Sequence, residues 1–409
     1  MKSVCILVQN YYEIDIRVRR KAEALAAAGY SVDVLALASE RAKSKSYDLN
    51  GVHVDTLSLG KKRGSLLRYL YEYLAFFFWA FMKVSLRMGK RRYAVIDVNN
   101  LPDFLVFAGA YAKLRGARIV FDMHEITPEF YMSKYAIGEK ALVIRLMKVV
   151  EYLSFKFADH VLAINEPIKT LLAGRGLDPE KTTVIMNAVD ESLFASSEDV
   201  AIPSDDKGKF IMMYHGTLTR IYGLDIAIEA FGKARAEMPG AELWILGNGP
   251  EKESLQALSR KLGLESSVRF VGSVLPEEIP QWLKRSHVGV LATRRDVFLE
   301  FSFSNKLSEY IVMNKSVISS RLKAIRHYFS EEALAFFEPN DPTDLSRQMI
   351  RLYRDKTLRE QLAARAMQEY LPISWSVMKE RYLRQMALIT GSSEPETRGE
   401  LTVPGLASR

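Results

Sequence analysis

The stretch KFIMMYHGTLTRIYGLDIAIEAF, residues 209–231, passes from an apolar run through a short turn into an amphipathic run. The first run is typical of a strand and the last is typical of a helix. Gly216 and Gly223 flank the turn between them, and glycines let backbone amides approach a phosphate closely. A strand that leads through such a turn into a helix is the repeating unit of a parallel sheet with helices on both faces.

The same alternation of short apolar runs and longer helical patterns extends along the chain. The predicted strands are SVCILV, SVDVLAL, VHVDTLSL, AVIDV, RIVFDM, HVLAIN and TTVIM in the first half, and KFIMMYH, ELWILG, VRFVG, VGVLAT, SVISS and LAFF in the second. Most connections between them are amphipathic. In IRVRRKAEALAAAG, Val18, Ala22 and Leu25 fall on one helical face and Gly29 supplies a stop. The chain is therefore predicted to be an α/β protein.

The alternation breaks once, at residues 196–209, which are polar, contain proline and glycine, and have no periodicity. This stretch is the predicted linker between two doubly wound, Rossmann-like domains, residues 1–195 and 210–373. In such sheets ligands bind outside the carboxyl ends of the strands, so we expect a ligand cleft between the domains. Residues 391–409 are polar and low in apolar content, and are predicted to be disordered.

Composition limits the possible functions without choosing one. A length of 409 residues, of which 48% are apolar, is enough for two cores. The one cysteine, Cys5, excludes an internal disulfide and a cysteine-built metal site, and fits a reducing compartment. The net charge of +8 suits nucleic acid, anionic lipid or a phosphorylated substrate. The longest uncharged aromatic run, YLAFFFWAFM, is about half the length of a membrane span, so no transmembrane helix is predicted.

The stretch FSFSNKLSEY, residues 301–310, contains the strongest candidate binding residues. If a helix begins near Ser304 or Asn305, its unpaired N–H groups and its dipole favour an anion there, and Lys306 adds a formal charge. Glu309, one turn further on, is placed to accept hydrogen bonds from vicinal hydroxyls such as those of a ribose. The alternative is an ordinary helix with a solvated lysine and glutamate.

Further candidates follow other predicted strands. Arg220 adds charge to the glycine turn, and the turns at 246–250 and 270–274 offer backbone groups to a nucleotide base. In the first domain, His124 comes immediately after the strand RIVFDM, and NAVD occupies residues 187–190. The alternatives are plain turn chemistry for the glycine turns and a hydrogen-bonded structural role for the histidine.

Together these stretches resemble the retaining, nucleotide-sugar-dependent glycosyltransferases of family 4, which have the two-domain GT-B fold. The resemblance covers roughly residues 1–390. It is carried by DIRVRRKAEALAAAGYSVDVL, FDMHE, NAVDESLF, YHGTLTRIYGLDIAIEAF, ILGNGP, VRFVGSV and SFSNKLSEYIVMNKSVISS. The late stretch SWSVMKERYLRQM resembles the terminal helix, about 374–390, that crosses back onto the first domain in this fold.

The resemblance implies roles for particular residues. Glu309 matches the glutamate that binds the donor ribose. Lys306, beside the diphosphate, and His124, near the transferred sugar, are implied to be catalytic. The donor-binding residues are Gly216, Thr217, Arg220, Gly247, Val274, Phe301, Ser304, Asn305, Lys306 and Glu309. On the acceptor side are Asn187, in the NAVD stretch, and Arg17 and Arg20, which share a helical face with Lys21. That face is either the contact for a phosphorylated acceptor or simply solvated.

The sequence also departs from the family pattern. Phe301 stands where the family usually has the first of two paired glutamates, and Thr217 and Tyr222 replace the arginine and lysine that commonly clamp the diphosphate. Four cations are available as substitutes: Arg220, Arg294, Arg295 and Lys306. These departures leave open a non-catalytic partner subunit, and less readily a nucleotide-sugar epimerase, as alternative functions.

The expected function is transfer of a sugar from a UDP- or GDP-sugar to a glycan or lipid-linked acceptor in cell-surface polysaccharide synthesis. Charge that develops on the leaving diphosphate is stabilised by fixed positive charge and helix N-termini. A metal ion would serve the same purpose, but the chain contains no Asp-x-Asp to hold one, so transfer is expected to need no metal or other cofactor. Retention of configuration is implied by the family. No nucleic acid partner is expected.

One further stretch, residues 66–92, is apolar on more than one face around residues 73–82. The cations that frame it are Lys61, Lys62, Arg63 and Arg68 before, and Arg87, Lys90, Arg91 and Arg92 after. This pattern predicts a helix that lies in an anionic membrane surface, with Phe77 and Trp79 in lipid, and a cytoplasmic protein peripheral to the inner face of the membrane. The alternative is a helix buried in the first domain.

Overall fold

The structure, a computed structural model, describes four stretches of the chain. These are residues 2–39, 45–59, 66–195 and 208–392. Residues 196–207 of the predicted linker and 393–409 of the predicted tail lie outside them, as do Lys61, Lys62 and Arg63 of the predicted cationic frame.

The chain divides into two compact α/β units. The first contains Met1–Asn187 and, from Met378 onward, the C-terminal helix, and the second contains Ala188–Val377. Each unit is built on one sheet, with eight strands in the first and six in the second. The predicted α/β fold of two doubly wound domains is therefore confirmed.

The first sheet is parallel apart from one edge strand. Its strands are β1 (Ser3–Tyr11), β2 (Ser31–Leu37), β3 (Ser46–Leu49), β4 (Val52–Leu57), β5 (Val95–Asn99), β6 (Arg118–Met123), β7 (His160–Ala163) and β8 (Thr182–Val184). They lie in the order β3-β4-β2-β1-β5-β6-β7-β8, with β3 antiparallel to β4. Seven of these strands were predicted. The eighth, β3, escaped prediction because this short edge strand, SYDL, has no apolar run.

The second sheet is wholly parallel. Its strands are β9 (Phe210–His215), β10 (Ala241–Leu246), β11 (Val268–Gly272), β12 (Val288–Leu291), β13 (Ser316–Ser320) and β14 (Ala335–Phe337). All six match predicted strands, and they lie in the order β11-β10-β9-β12-β13-β14. The strand order reverses beside β9, as it does beside β1 in the first sheet. Ligands of doubly wound sheets bind at such switch points.

Helices connect the strands. They are α1 (Ile16–Ala27), α2 (Leu66–Met88), α3 (Ala110–Leu114), α4 (Thr127–Tyr135), α5 (Leu142–Phe157), α6 (Glu166–Ala173), α7 (Ser192–Ala195), α8 (Leu224–Ala234), α9 (Lys252–Lys261), α10 (Ile279–Arg285), α11 (Asn305–Val312), α12 (Lys323–Tyr328), α13 (Pro342–Arg354), α14 (Lys356–Tyr370) and α15 (Trp375–Thr390). As predicted, α1 buries Val18, Ala22 and Leu25, and it ends before Gly29, whose φ is +85°.

The C-terminal helix α15 is fixed to the first unit by polar contacts as well as by apolar burial. The Tyr382 hydroxyl donates a hydrogen bond of 3.0 Å to the buried carboxylate of Asp97, on β5. The Thr183 hydroxyl, on β8, donates to the side chain of Gln385 over 3.1 Å. Met378 and Met386 are fully buried. The helix therefore completes the core of the first unit.

Helix α2 is apolar on two sides, as expected, but its exposed residues are not those expected. Phe77 is half-buried, with its ring centre 5.8 Å from that of Phe104, and Trp79 lies 5.6 Å from Phe76. The most exposed apolar side chains are instead Leu70, Phe78, Met82 and Leu86, with Leu74 and Tyr71 beside them. Among the described residues no helix is long and apolar enough to cross a membrane.

Candidate functional site

In the second unit several predicted donor-binding residues, among them Gly216, Gly247, Lys306 and Glu309, gather around the carboxyl end of β9. The chain turns there through Gly216, whose φ is +127°, and a 3-10 turn at Arg220–Tyr222 leads into α8. Helix α11 begins at Asn305, as predicted, after Ser304. Ser304 makes no capping hydrogen bond through its side chain, so the first N–H groups of α11 receive no side-chain cap from it.

The Lys306 side chain lies against the Gly216 turn. A Cβ placed on Gly216 would overlap the Lys306 side chain and stand 3.0 Å from its Nζ. The ammonium lies 4.3 Å from the centre of the Tyr222 ring and 5.7 Å from that of Tyr214. Burial lowers the pKa of Lys306, while Glu309 acts in the opposite direction. Tyr222, which replaces a clamping lysine in the family pattern, therefore contacts the Lys306 ammonium through its ring.

Glu309 is held by a residue that sequence analysis did not identify. Its Oε2 is hydrogen-bonded to Nε2 of His215, the last residue of β9. The Tyr310 hydroxyl donates to the Met213 carbonyl over 2.6 Å and is hydrogen-bonded to Nδ1 of His215 over 3.1 Å. The histidine therefore orients Glu309 from within the strand.

Two further glycine turns pack against the first. Gly247 has a φ of +131°, and a Cβ there would overlap the carbonyl oxygen of Gly216. A Cβ on Gly249 would overlap the backbone of Leu218. The predicted turns after β9 and β10 thus lie in direct backbone contact. Val274 follows the end of β11, whose Gly272 carbonyl accepts a hydrogen bond of 2.6 Å from Gly247.

Two of the three arginines proposed as substitute clamps are committed to other partners. Arg294 is ion-paired with Asp225, and Arg295 lies 2.6 Å from Glu300. Arg220 and Thr217 are exposed at the surface of the glycine turn. At Phe301, where the family pattern has a glutamate, the Lys323 ammonium lies 5.0 Å from the ring centre. Of the four cations proposed as substitutes, Lys306 and the exposed Arg220 are therefore the two left for an anion.

The first unit contains a cavity of about 200 Å³ at the carboxyl ends of β1, β5 and β6. Its polar lining includes Asp15, Arg17, Asn99, His124 and Glu125. Arg17 donates to Asp15 over 3.0 Å, and this contact and the Asn10 amide hold the pKa of Asp15 below its usual range despite burial. Two predicted residues, His124 and Arg17, thus share one cavity.

His124 is buried as a neutral imidazole. Its Nε2 lies 2.7 Å from Oδ1 of Asn99, whose amide nitrogen donates to the Leu7 carbonyl over 3.4 Å. This orientation of Asn99 makes Nε2 the protonated nitrogen of His124. Burial and the positive charges of Lys21 and Arg17 hold the pKa of His124 well below its usual value. Its Nδ1 is buried and has no hydrogen-bond partner among the described residues.

The three residues of the predicted acceptor face on α1, which are Arg17, Arg20 and Lys21, have different surroundings. Lys21 is buried and ion-paired with Asp122, on β6, and burial lowers its pKa to about 8. The interpretation of Lys21 as part of a solvated or acceptor-binding face is therefore wrong. Arg17 lines the cavity, whereas Arg20 is outside the lining and reaches its own helix at the Ile16 carbonyl, 3.4 Å away.

Asn187 and Glu125 differ in their relation to the cavity. Asn187, predicted on the acceptor side, is the last residue of the first segment of this unit, after β8, and does not line the cavity. Glu125 lines it directly beside His124, and burial raises the pKa of Glu125 to about 7, with Arg17 acting against the shift. The sequence placed Glu125 after a strand, but nothing in its pattern separated it from a solvated carboxylate.

Two domain families match the chain. The family described as "Glycosyl transferase 4-like domain" matches residues 14–188, and "Glycosyl transferases group 1" matches residues 209–355. A D-inositol 3-phosphate glycosyltransferase of Nocardioides sp. is 23% identical over 400 residues, which cover 90% of this chain and 82% of the relative. The lipopolysaccharide core biosynthesis glycosyltransferase LpsE of Rhizobium meliloti is 25% identical, with 43% of this chain and 49% of the relative covered.

A solved structure shares the fold. The Anabaena protein HepE, in complex with UDP, superimposes with a TM-score of 0.69 at 17% identity, covering 95% of this chain and 100% of HepE. The first curated relatives are matched over a smaller share of their length, since the chain spans about half of each. The matched domains nevertheless coincide with the two units and with both groups of candidate residues.

Proposed function

Because the chain belongs to the GT-B glycosyltransferases, we propose that it transfers a sugar from a nucleoside diphosphate sugar to a hydroxyl group of a glycan or lipid-linked acceptor. The observation that carries this proposal is the arrangement at the start of α11. An N-terminus without a side-chain cap, the Lys306 ammonium and the histidine-held carboxylate of Glu309 lie within two turns of one helix, beside the Gly216 turn.

This arrangement suits a nucleoside diphosphate. The first N–H groups of α11 and Lys306 attract the diphosphate, and Glu309 accepts from the vicinal hydroxyls of the ribose. Gly216 and Gly247 allow the Lys306 side chain and the two turns to pack closely together, because a Cβ at either position would overlap neighbouring atoms. The turn around Val274 offers backbone groups to the base. HepE, whose structures contain UDP and UDP-glucose, supports a UDP-sugar as the first donor to test, with GDP-sugars next.

The proposed chemistry follows from the leaving group. Cleavage of the bond between the sugar and the phosphate leaves negative charge on the diphosphate, which Lys306 and the N-terminus of α11 stabilise more in the transition state than in the ground state. We assign the reaction to the retaining, family 4 type on the sequence resemblance. The sequence, with no Asp-x-Asp, supports transfer without a metal ion or other cofactor.

The acceptor is proposed to bind in the first-unit cavity. Nδ1 of neutral His124 accepts from a sugar hydroxyl, and Glu125, with a pKa raised to about 7, is available as a hydrogen-bond partner beside it. Arg17, whose side chain stays partly exposed beside its partner Asp15, is proposed as the contact for a phosphorylated, lipid-linked acceptor. The relation to LpsE, a lipopolysaccharide core enzyme, supports a role in cell-surface polysaccharide synthesis. We place the protein in the cytoplasm, at the inner face of the membrane.

A panel of nucleotide sugars tests the function. The purified protein is titrated with each donor in a melting assay, and the donor that raises the melting temperature is then assayed for hydrolysis and transfer. Glu309→Ala is expected to weaken nucleotide binding by about tenfold or more, because a charge-assisted contact is lost. The exposed carboxylate of Glu253, on α9 in the same unit, provides the control Glu253→Ala, which should bind normally.

Each outcome of this assay has a consequence. Unchanged affinity in Glu309→Ala would remove the ribose assignment. Donor binding without hydrolysis or transfer would favour a non-catalytic partner subunit, and conversion of the donor into another sugar nucleotide would favour an epimerase. Transfer that a chelator abolishes and magnesium or manganese restores would contradict the proposal that no metal is needed.

A further inference from the structure

Helix α5 turns an apolar stripe towards solvent and a carboxylate towards the core. The stripe consists of Leu142, Leu146, Val149 and Leu153, whose exposures are 83, 60, 52 and 49%. Their spacings of four, three and four residues place them on one helical face. On the opposite face Glu151 is fully buried and Phe155 is nearly so. A helix that only covers a sheet has its apolar side chains towards the core and its charged side chains towards solvent. The exposed stripe of α5 therefore indicates a contact with a partner.

Helix α2 carries a second apolar stripe. Its members recur at every fourth residue and are Leu70, Leu74, Phe78, Met82 and Leu86. The residues that face the core, Phe76, Ala80 and Val84, recur with the same spacing on another side and are fully buried. The exposed stripe is therefore additional to the apolar surface that holds α2 on the sheet.

Both helices lie on the same face of the first sheet. The crossovers that contain α2, α3 and α5 run in the same direction across the sheet, and right-handed crossovers place such helices on one side. Both α2 and α5 pack on the 3-10 segment Asp103–Gly109, where Phe77 meets Phe104 at 5.8 Å and Phe107 meets Phe157 at 5.0 Å. The exposed side chains of Tyr111 and Leu114, in α3, continue the same surface. We call the exposed apolar residues of α2, α3 and α5 the three-helix surface.

The charge around the three-helix surface is positive. The carboxylates that α2, α5 and the 3-10 segment contribute are those of Glu72, Glu151 and Asp103, and all three are buried. On α5 the exposed cations Arg145 and Lys156 flank the leucine stripe and form no ion pair with any described residue. Further exposed cations follow the other two helices: Lys90, Arg92 and Arg115.

This charge decides between partners. Two copies of the chain joined through the three-helix surface would bring cation against cation. An anionic bilayer offers apolar depth for the leucines and phosphate groups for the cations. One exposed carboxylate near the surface, Glu139, is paired with Lys148 over 2.6 Å and so adds little repulsion.

We propose that the first unit docks on an anionic bilayer through the three-helix surface, with the leucines of α5 and the exposed stripe of α2 in the boundary between headgroups and acyl chains. The proposal names the contact for the membrane location given above and rests on that part of the proposed function. It does not depend on the identity of the sugar donor or on transfer.

Sedimentation of the full-length protein with vesicles tests the docking. Equimolar phosphatidylcholine and phosphatidylglycerol vesicles are compared with phosphatidylcholine alone, at low and high salt, without any sugar nucleotide. The wild type should sediment with anionic vesicles and be released by salt. Leu146→Gln combined with Leu153→Gln should lower the partition coefficient by about tenfold or more. The control is Leu388→Gln, since Leu388 is a 65% exposed leucine on α15 of the same unit and should bind as the wild type does.

A second variant separates docking from folding. Arg145→Glu combined with Lys156→Glu leaves the leucines in place and should weaken binding to anionic vesicles while keeping the melting temperature. Equal vesicle binding by the wild type and both double variants would overturn the proposal, as would equal binding to neutral vesicles. A dimer in the absence of lipid that the leucine variant dissociates would also overturn it, in favour of a second copy. Vesicle binding by a protein that transfers no sugar would leave the docking intact and remove the proposed function instead.

Discussion

At the scale of single residues, the candidate donor site depends on a side chain that points out of a strand. His215 lies at the end of β9 with its side chain 5% exposed, and it connects Glu309 to Tyr310 and the Met213 carbonyl. In the sequence it ends an otherwise apolar and aromatic run, which predicted the strand but not the role of its last member. Glu309 was identifiable because it lies one turn after the predicted start of a helix, and a helix N-terminus favours a bound anion.

We expect His215→Gln to weaken binding of the donor nucleotide by about three- to tenfold, since Glu309 loses the partner that orients it. Calorimetric titration measures this loss, and His327→Gln, at an exposed histidine of the same unit, is the control. In the double variant with Glu309→Ala the two losses should not add, because both act on one contact. Full additivity would mean that His215 acts on binding by another route.

The contact between the glycine turns is also testable at this scale. Gly247→Ala adds a Cβ that overlaps the Gly216 carbonyl and strains a φ of +131°. Gly263 has a φ of +65°, and a Cβ placed there would have no atom within 4 Å, so Gly263→Ala strains the backbone alone. We expect Gly247→Ala to lower stability by about 2 kcal/mol or more, against about 1 kcal/mol at Gly263, in denaturant unfolding. Equal losses would show that the turns can separate easily.

At the scale of elements, α5 is coupled to pH through the face that it buries. Burial raises the pKa of Glu151 to about 8, although Arg175 opposes the shift, and raises that of Asp103 to about 6. A carboxyl group whose pKa is higher in the folded state stabilises the fold fully below its unfolded pKa. That contribution is lost as pH rises through the folded pKa. The first unit should therefore become less stable between about pH 4.5 and pH 8.

The variant Glu151→Gln should remove much of this dependence, because an amide does not titrate. We expect its melting temperature to match that of the wild type at about pH 5 and to exceed it at about pH 9. Thermal unfolding at several pH values measures both. Glu360→Gln, at an exposed glutamate of α14, should follow the wild type at every pH. A variant that melts lower than the wild type at high pH would mean that the pairing with Arg175 outweighs desolvation.

Most elements could be predicted from the sequence, because apolar runs and helical periodicity report burial directly. Two failures have a common cause. Periodicity shows that a helix has an apolar face but not whether that face meets the core, so the outward stripe of α5 was not foreseen. Lys21 is the converse case, since its burial depends on Asp122 from a strand about a hundred residues away in the sequence. The edge strand β3 was missed for lack of any apolar run.

At the scale of the whole molecule, the first unit is made from two distant parts of the chain. We expect a fragment of residues 1–195 to fold poorly, because without α15 the Asp97 carboxylate loses Tyr382 and the sites of Met378 and Met386 open to water. Near-ultraviolet circular dichroism and thermal melting compare it with the same fragment joined by a flexible linker to residues 374–392. A fragment that melts at the temperature of the full-length protein would contradict this expectation.

The return of α15 also sets the order of events during synthesis. Asn187 leaves the ribosome about 190 residues before Met378, an interval of roughly 10 to 40 s at ordinary elongation rates. Throughout that time the apolar surface of the first unit that α15 covers stays exposed to water. The second unit, whose chain from Ala188 to Val377 is continuous, can fold as it emerges. A nascent chain cut short anywhere before α15 therefore keeps exposed the part of the first unit that this helix covers, which includes the Asp97 carboxylate.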